Sequence, residues 1–211
     1  MQRRVSASGE DRVRVLVACE FSGVVRDAFI ERGHDAVSCD LLPTMQPGPH
    51  IQGDVLEILD EGRDLMIAHP PCTFLSRAGA RWLYPKGVLD ASRYAKLLEG
   101  RKFFMELLNA PIPKKAVENP TPFKIVKLPE ATQIIQPFMF GEPYSKRTLL
   151  WLEGLDPLRP TDLVSDYSPW LPSNTSGFRK GQVSQRGKAK NASEYSVTFS
   201  GIANAMADQW G

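Results

Sequence analysis

The feature of this sequence that most constrains its fold is a series of short apolar runs, each of which stops at a glycine, an acid or a proline. Runs of this length and composition are typical of strands buried on both faces of a parallel sheet. Two patterns that follow the helical period separate them along the chain. The predicted strands are Val13–Cys19, Ala36–Cys39, Leu65–Ala68 and Lys115–Glu118, with Ile51–Val55 as a further strand or its exit loop.

Apolar residues at helical spacing predict helices over Val24–Arg32 and Ala91–Leu108, with Gly33 as a C-terminal cap of the first. Thr198–Trp210 repeats this pattern at the end of the chain. Strands that alternate with helices predict an α/β fold with a doubly wound, mostly parallel sheet. Two late strands, Gln133–Phe140 and Arg147–Leu152, are joined by the turn Gly141-Glu142-Pro143 and would add an antiparallel hairpin.

The 211 residues are enough for one domain with a small appendage. We expect a disordered arm over residues 1–12 and a catalytic domain over residues 13–152. Residues 153–194 are rich in proline, serine and glycine, which predicts a small irregular lobe or a mobile loop. Residues 195–211 then form a helix that returns to the catalytic domain.

Three cysteines, none in a Cys-x-x-Cys pair or a Cys/His cluster, predict neither a disulfide framework nor a metal site. Such usage favours a reducing compartment. No apolar run approaches the length that spans a membrane, and the first residues contain no apolar signal core. We therefore expect a cytoplasmic protein, in a prokaryotic or phage-infected cell, with no membrane partner.

The net charge of +2 neither favours nor excludes nucleic acid as a partner. The distribution of charge is more informative, because the stretch from Phe178 to Lys190 contains five cations and no acid. Such a stretch is either a solvated loop or a contact for phosphate. Its candidate phosphate-binding residues are Arg179, Lys180, Arg186 and Lys188.

A thiol and a carboxyl group each lie at the end of a predicted strand: Cys72 comes after Pro70-Pro71, and Glu118, 46 residues later, precedes Asn119-Pro120. Ligands of doubly wound sheets bind beyond the carboxyl ends of the strands, so the two groups could share one pocket. A thiolate can add to C6 of a pyrimidine while a carboxyl group holds or protonates N3. We expect a nearby cation or helix N-terminus to lower the pKa of Cys72, and desolvation to raise the pKa of Glu118.

Other polar residues at predicted strand ends are Phe21-Ser22-Gly23, Asp40 and Asp54, which favours a ligand site at this edge. Cys19 and Cys39 lie within predicted strands and are assigned to the core. His69 precedes the two prolines, where a local structural hydrogen bond is the simpler interpretation and a catalytic role the alternative.

These motifs, in this order, resemble those of the DNA cytosine-5 methyltransferases, and they span residues 15 to 210. Pro70-Pro71-Cys72 resembles the nucleophile motif of that family, and Glu118-Asn119 resembles its Glu-Asn motif. Gly141-x-Pro143 followed by Lys146-Arg147 is similar to its arginine-containing motif. The weaker cofactor motifs are matched by Cys19-Glu20-Phe21-Ser22-Gly23, Asp40, Gly53-Asp54-Val55 and Gly201-Ile202-Ala203-Asn204-Ala205.

The resemblance implies a Rossmann-like methyltransferase fold that binds S-adenosylmethionine. It assigns catalytic roles to Cys72 and Glu118, and one to either Lys146 or Arg147. The loop after Cys72 would close over a flipped base and contact phosphate through Ser76, Arg77 and Arg81. The implied cofactor-binding residues are Phe21, Ser22, Gly23, Asp40, Asp54, Val55, Pro70 and Asn204.

The sequence departs from the family pattern in several places. The glycine-rich loop is reduced to Gly23-Val24-Val25-Arg26, Cys19 stands where that loop usually opens with an acid, and Thr73 follows the nucleophile. Only about forty residues are left for target recognition, which leaves open a second chain or partner that supplies recognition surface.

The function implied is transfer of a methyl group to C5 of cytosine in DNA, with double-stranded DNA and a flipped cytosine as the expected substrate. Two alternatives remain open at this point. One is the same C5 chemistry on a free pyrimidine nucleotide or a single strand. The other is a DNA-binding protein on a decayed methyltransferase scaffold, which the altered glycine loop motivates.

Overall fold

The computed structural model describes residues 12–77, 82–169 and 197–211. Seven strands form one sheet in the order β3-β2-β1-β4-β5-β8-β6, and three helices pack against it. The helices are α1 (Val24–Glu31), α2 (Ala91–Leu108) and α3 (Ser200–Trp210). The strands are β1 (Arg14–Ala18), β2 (Asp35–Asp40), β3 (His50–Gln52), β4 (Leu65–Ala68), β5 (Lys114–Pro120), β6 (Gln133–Ile135) and β8 (Thr148–Glu153), and the two-residue strands β7 (Tyr144–Ser145) and β9 (Ser168–Pro169) pair separately.

The direction of the strands defines the fold class. Strands β1 to β5 are parallel, and β8 runs antiparallel to both β5 and β6. The chain order reverses between β1 and β4, which is the crevice where doubly wound sheets bind ligands. The expected α/β fold, with a doubly wound, mostly parallel sheet and an antiparallel hairpin strand, is therefore confirmed.

Side chains that alternate along the central strands build a core on each face of the sheet. Val15 and Val17 pack with α1 and α3 on one face, whereas Leu16 and Ala18 pack with α2 on the other. Burial on both faces explains why these strands appear in the sequence as continuous apolar runs. The helix predicted over Ala91–Leu108 has those bounds in the structure, with the Asp90 carboxylate accepting a hydrogen bond from the Arg93 amide at its start.

Two local predictions are wrong. The strand expected over Gln133–Phe140 ends at Ile135, because Pro137 has no amide hydrogen for the ladder and begins a single 3-10 turn instead. Cys19 lies one residue beyond β1, with a left-handed φ of 57° and a partly exposed side chain. Cys39 is fully buried in β2, as expected.

The predicted N-terminal arm falls almost wholly outside the described residues, as does most of the predicted lobe at residues 153–194. These domain boundaries remain predictions. Within the described ranges, no helix has both the length and the apolar character needed to cross a bilayer.

Candidate active site

Neighbouring parallel strands bring His69 and Glu118 together. The last paired residues of β4 and β5 are Ala68 and Val117, so the next residue of each strand lies at the same edge of the sheet. His69 Nδ1 is 3.7 Å from Glu118 Oε1, and the two side chains are 10% and 24% exposed. Both point to the face that carries α3, since they alternate with Ala68 and Val117 on the α2 face.

A pocket at this edge lies between the sheet and α3. Its cavity volume is about 20 Å³, and the empty space with the open mouth included is about 340 Å³. His69, Glu118, Lys146 and Thr148 form its polar wall, and the apolar wall consists of Ile135, Leu150, Phe199, Ile202 and Met206, with Thr198 beside them. The pocket thus combines a carboxylate, an imidazole and an ammonium group with an apolar floor, as ligand sites commonly do.

The Cys72 loop is tied to the strand that carries Glu118. The Cys72 carbonyl accepts hydrogen bonds from the Leu75 and Ser76 amides at 3.1 and 2.9 Å, which closes a tight turn after the two prolines. Beyond this turn, Ser76 forms a β-bridge with Pro122, and the Phe123 amide donates to the Leu75 carbonyl. These bonds hold the thiol next to the end of β5.

Cys72 is close enough to Glu118 and Lys146 for both charges to act on its thiol. Burial and the negative charge of Glu118 raise the pKa of Cys72, while Lys146 and a hydrogen bond from Ser76 oppose the rise. The expected lowering by a nearby cation comes from Lys146, but burial and Glu118 outweigh it, so the pKa is raised in the protein without ligands. A turn follows Cys72 instead of a helix, and the carboxylate outweighs the ammonium group.

The expected protonated form of Glu118 is also not found. Burial alone would raise the pKa of Glu118, but His69 and the Lys146 ammonium group stabilise the carboxylate, and the net effect is a lowered pKa. Without ligands, the site therefore holds an ionised Glu118 beside a protonated thiol. Glu118 in this state accepts hydrogen bonds and does not donate them.

The structure places the two candidate cations differently. Lys146 lines the pocket, lies 5.9 Å from the centre of the Phe199 ring and acts on the pKa values of both Cys72 and Glu118. Arg147, one residue later, is exposed. Alternation along the chain explains the difference, because neighbouring residues of an extended segment point to opposite sides.

The predicted cofactor loop is organised by an acid that the sequence reasoning missed. The buried Glu20 carboxylate accepts hydrogen bonds from the Val25 and Arg26 amides at 2.7 and 3.2 Å, and from the Ser22 hydroxyl at 3.0 Å. A carboxylate here satisfies the first amides of α1 and neutralises the positive end of its dipole. An acid just before a predicted helix is the signal that could have identified Glu20.

Arg26, where the family pattern has glycine, is fully buried. Its guanidinium donates to the Ser38 and Thr44 hydroxyls and to the Gln46 and Pro47 carbonyls, and it pairs with Asp27 at 2.7 Å. Gly23 has a φ of 79°, and a side chain there would collide with this guanidinium. The altered glycine loop is thus filled by an arginine that fixes the loop after β2.

Several predicted cofactor residues lie around the ends of β1, β2 and β3. Asp40 ends β2 next to Gly53, whose amide donates to the Asp40 carbonyl, and Asp54 follows directly. Asp40 and Asp54 both contribute to a raised pKa of Cys19, after burial as the larger cause. The Phe21 carbonyl accepts a hydrogen bond from the Met45 amide, Val55 is buried behind Asp54, and Pro70 is buried at the end of β4.

Asn204 is not brought to this edge. Its side-chain oxygen accepts a hydrogen bond from Arg32 at the C-terminal end of α1, which lies at the opposite edge of the sheet. From α3, it is Ile202 and Met206 that face the pocket. Gly201, beside them, is required because a side chain there would overlap the Phe140 carbonyl.

Few of the candidate DNA-binding residues can be placed. Ser76 is buried, and its hydroxyl bonds to the Cys72 thiol. It is therefore not exposed for contact with the phosphates of a DNA strand. Arg77 is exposed, with its amide bonded to the Thr121 carbonyl. The other candidates lie outside the described residues: Arg81, Arg179, Lys180, Arg186 and Lys188.

The donor set fits S-adenosylmethionine better than a phosphate-containing cofactor. The amides at the start of α1, where a phosphate would bind, are already occupied by Glu20. Asp40 and Asp54 add two carboxylates at the same edge, and they suit ribose hydroxyls and amino groups. Exposed Leu41 and Met45 lie beside Asp40 and offer apolar surface for a base.

Comparisons with known proteins identify no family. No family model matches the chain, and no curated protein matches it. Among solved structures, the chain is similar to a protein from an E. coli prophage that has been provisionally designated a DNA modification methyltransferase. The match has a TM-score of 0.45 and 14% identity, and it covers 72% of this chain and 52% of that protein, so the chain spans about half of its length.

Proposed function

We propose that this protein transfers a methyl group from S-adenosylmethionine to C5 of cytosine in DNA, through a covalent bond between Cys72 and C6. The observation that carries the proposal is that Glu118 and Lys146 line one pocket at the ligand-binding edge of the sheet, and that the charges of both act on the thiol of the neighbouring Cys72 loop. The motifs that resemble the DNA cytosine-5 methyltransferases supply the reaction class. The carboxylates of Glu20, Asp40 and Asp54 disfavour a phosphate-containing cofactor, which supports S-adenosylmethionine as the methyl donor.

The charges of the site suggest how the thiol becomes reactive. Burial favours the protonated thiol, and the ionised Glu118 adds to this effect. When cytosine binds, Glu118 faces N3 and the amino group, and the proton lost by the thiol passes first to Glu118, which donates it to N3 as the sulfur bonds to C6. Neutral Glu118 no longer opposes the thiolate, and Lys146 then stabilises it. The thiol is therefore activated only when a base is present.

The reaction consists of addition of the thiol to the ring, methylation of C5 and elimination of the thiol. The Cys72 sulfur loses its proton and bonds to C6, and N3 gains a proton through Glu118. S-adenosylmethionine, when bound, supplies an electrophilic methyl group on a positively charged sulfur. C5 bonds to that methyl carbon as the carbon–sulfur bond breaks. A base then removes the C5 proton, the Cys72 sulfur leaves C6 and N3 returns its proton.

A cationic surface beside the Cys72 loop supports a polyanionic substrate. Arg93 and Lys96, one turn apart on α2, lie 4.9 and 5.7 Å from the centre of the Phe74 ring, and Arg93 also donates to the Thr73 carbonyl. Within the described ranges, neither cation forms an ion pair. A strand that enters the pocket past Cys72 would find both cations within reach of its phosphates.

The first experiment is sequencing of DNA from cells that express the protein, by bisulfite or nanopore methods. The proposal predicts 5-methylcytosine in one short sequence context. Cys72→Ala should abolish the methylation, because no other side chain is proposed to bond to C6. Cys39→Ala is the matched control, since Cys39 is fully buried in the core, and it should retain the methylation.

Purified protein then distinguishes the substrates. Labelled cofactor is offered with duplex DNA, single-stranded DNA and dCMP, and the proposal predicts the fastest transfer to duplex. Faster transfer to dCMP or to the single strand would replace the DNA proposal with nucleotide or single-strand chemistry. DNA binding with no transfer and no calorimetric heat from the cofactor would mark a decayed scaffold. Full transfer by Cys72→Ala would exclude the covalent route.

A further inference from the structure

We propose that His69 determines specificity for the amino group of the target base, a role that rests on the proposed function. Its imidazole lies in the wall of the pocket beside Glu118. The side chain is nine-tenths buried, and Nε2 has no hydrogen-bond partner among the described residues. The buried Nε2 would gain its missing partner from the exocyclic amino group of cytosine.

The neighbours of His69 determine which ring nitrogen carries the proton. Glu118 is ionised and can only accept, so the Nδ1 that faces its Oε1 carries the hydrogen. In the neutral ring, Nε2 then has a lone pair and is an acceptor. The 3.7 Å between Nδ1 and Oε1 is longer than a hydrogen bond, as is common in active sites that tighten when ligand binds.

An unpartnered buried acceptor is a costly feature, which makes a ligand donor the natural partner. The amino group of cytosine has two hydrogens, one for the Glu118 carboxylate and one for His69 Nε2. The 4-carbonyl of uracil or thymine would instead face two acceptors. The charged groups around the imidazole are Glu118 from β5 and Lys146 from the segment before β8, and both line the same pocket.

Two substitutions separate the roles of the two nitrogens. The amide of His69→Asn reaches about as far as Nδ1, so it can orient Glu118 but cannot reach the base. The longer amide of His69→Gln reaches about as far as Nε2 and keeps an acceptor for the base. His34→Asn is the matched control, because His34 packs against Phe29 at the opposite edge of the sheet.

The measurement is equilibrium binding of duplexes in a Cys72→Ala background, so that no covalent bond forms. The duplexes carry the sequence context found by sequencing, with cytosine, uracil or 2-pyrimidinone at the target position. His69→Asn should reduce the preference for cytosine over 2-pyrimidinone and over uracil by about tenfold, which corresponds to about 1.4 kcal/mol. His69→Gln and His34→Asn should retain most of it.

Steady-state kinetics give an independent readout on proteins that retain Cys72. The value of kcat/KM for the cytosine duplex should be lower in His69→Asn than in the parent protein and in His69→Gln. Thermal unfolding confirms that the variants fold. If DNA is methylated but His69→Asn discriminates bases as the parent does, this inference fails while the proposed function stands. If no DNA is methylated, the proposed function itself fails.

Discussion

At the scale of single residues, Cys72 lies between a carboxylate that suppresses its ionisation and an ammonium group that favours it. In the protein without ligands, burial and then the charge of Glu118 outweigh Lys146, so the pKa of the thiol is raised. A thiol in this state is protected from unwanted alkylation and oxidation, because the thiolate is the reactive form. The site would thus be inert until a base changes the charge of Glu118.

Replacing Glu118 with Gln should lower the pKa of Cys72, since it removes the charge that raises it. Alkylation of Cys72 by iodoacetamide, followed by peptide mass spectrometry, should be about 3- to 10-fold faster at pH 7.5, while methyl transfer falls by at least 100-fold. Lys146→Gln should slow alkylation, because it removes the opposing charge, and Arg147→Gln should leave it unchanged. An unchanged rate in Glu118→Gln would mean that the two groups do not interact.

The sequence was sufficient to place Cys72 and Glu118 at the ends of strands, because the apolar runs before them are recognisable as buried strands, and these strands are neighbours in the sheet. It was not sufficient to predict their charge states. Those depend on His69 and Lys146, whose distances to Glu118 are set by the register of β4, β5 and β8. The choice between Lys146 and Arg147 likewise required knowing which side of the chain faces the pocket.

At the scale of elements, α1 and the loop after β2 are joined by the buried guanidinium of Arg26. Five acceptors surround it, including two carbonyls of residues 46 and 47. The loop therefore depends on α1 for its position, and through the Met45 amide it is also bonded to Phe21. The sequence showed the departure from the glycine pattern, but not that one arginine fills the space.

Arg26→Met should reduce the free energy of unfolding by about 3 kcal/mol, because it leaves buried carbonyls and hydroxyls without their donor. Urea unfolding followed by circular dichroism measures this loss. Arg12→Met removes an exposed arginine from a 3.8 Å ion pair and should change the free energy of unfolding by less than about 0.5 kcal/mol. A similarly small loss for Arg26→Met would contradict its role as the tie between these elements.

Two cations on helix α2 allow the proposed contact with DNA to be tested. Replacing Arg93 and Lys96 with Gln should weaken duplex binding and reduce the slope of log Kd against log salt by about 2, one for each lost phosphate contact. Lys102→Gln is the matched control on the same helix, since Lys102 is exposed and near Glu106. Unchanged slopes in the double variant would show that DNA does not pass over this face.

At the scale of the whole molecule, the two faces of the sheet are predictable because burial imposes apolar runs, but the edge of the sheet is not. At this edge, a turn begins at Pro137, and Cys19 has a left-handed backbone conformation. Both features depend on local geometry that the period of the apolar residues does not predict. The pocket residues that α3 contributes could not be predicted either, since contacts between distant segments leave no local sequence pattern.

The buried thiols should make the folded state sensitive to alkaline pH. Burial, followed by the charges of Asp40 and Asp54, raises the pKa of Cys39 to about 11, above the ~8.5 of an unfolded cysteine. Its contribution to stability is complete below about pH 8.5 and is lost as pH rises toward 11. Urea unfolding between pH 7.5 and 10.5 should show a shallower decline for Cys39→Ala; an identical decline would contradict the raised pKa.

Duplex DNA in which 5-fluorocytosine replaces the target cytosine tests whether Cys72 bonds to C6. A base cannot remove fluorine from C5 as it removes a proton, so the bond between Cys72 and C6 cannot be released after transfer. With cofactor present, the account predicts a stable protein–DNA adduct that peptide mass spectrometry maps to Cys72 and that is lost in Cys72→Ala and strongly reduced in Glu118→Gln. Normal cytosine methylated by the same protein, with no adduct on the fluorinated duplex or with an adduct at Cys19 or Cys39, would contradict it.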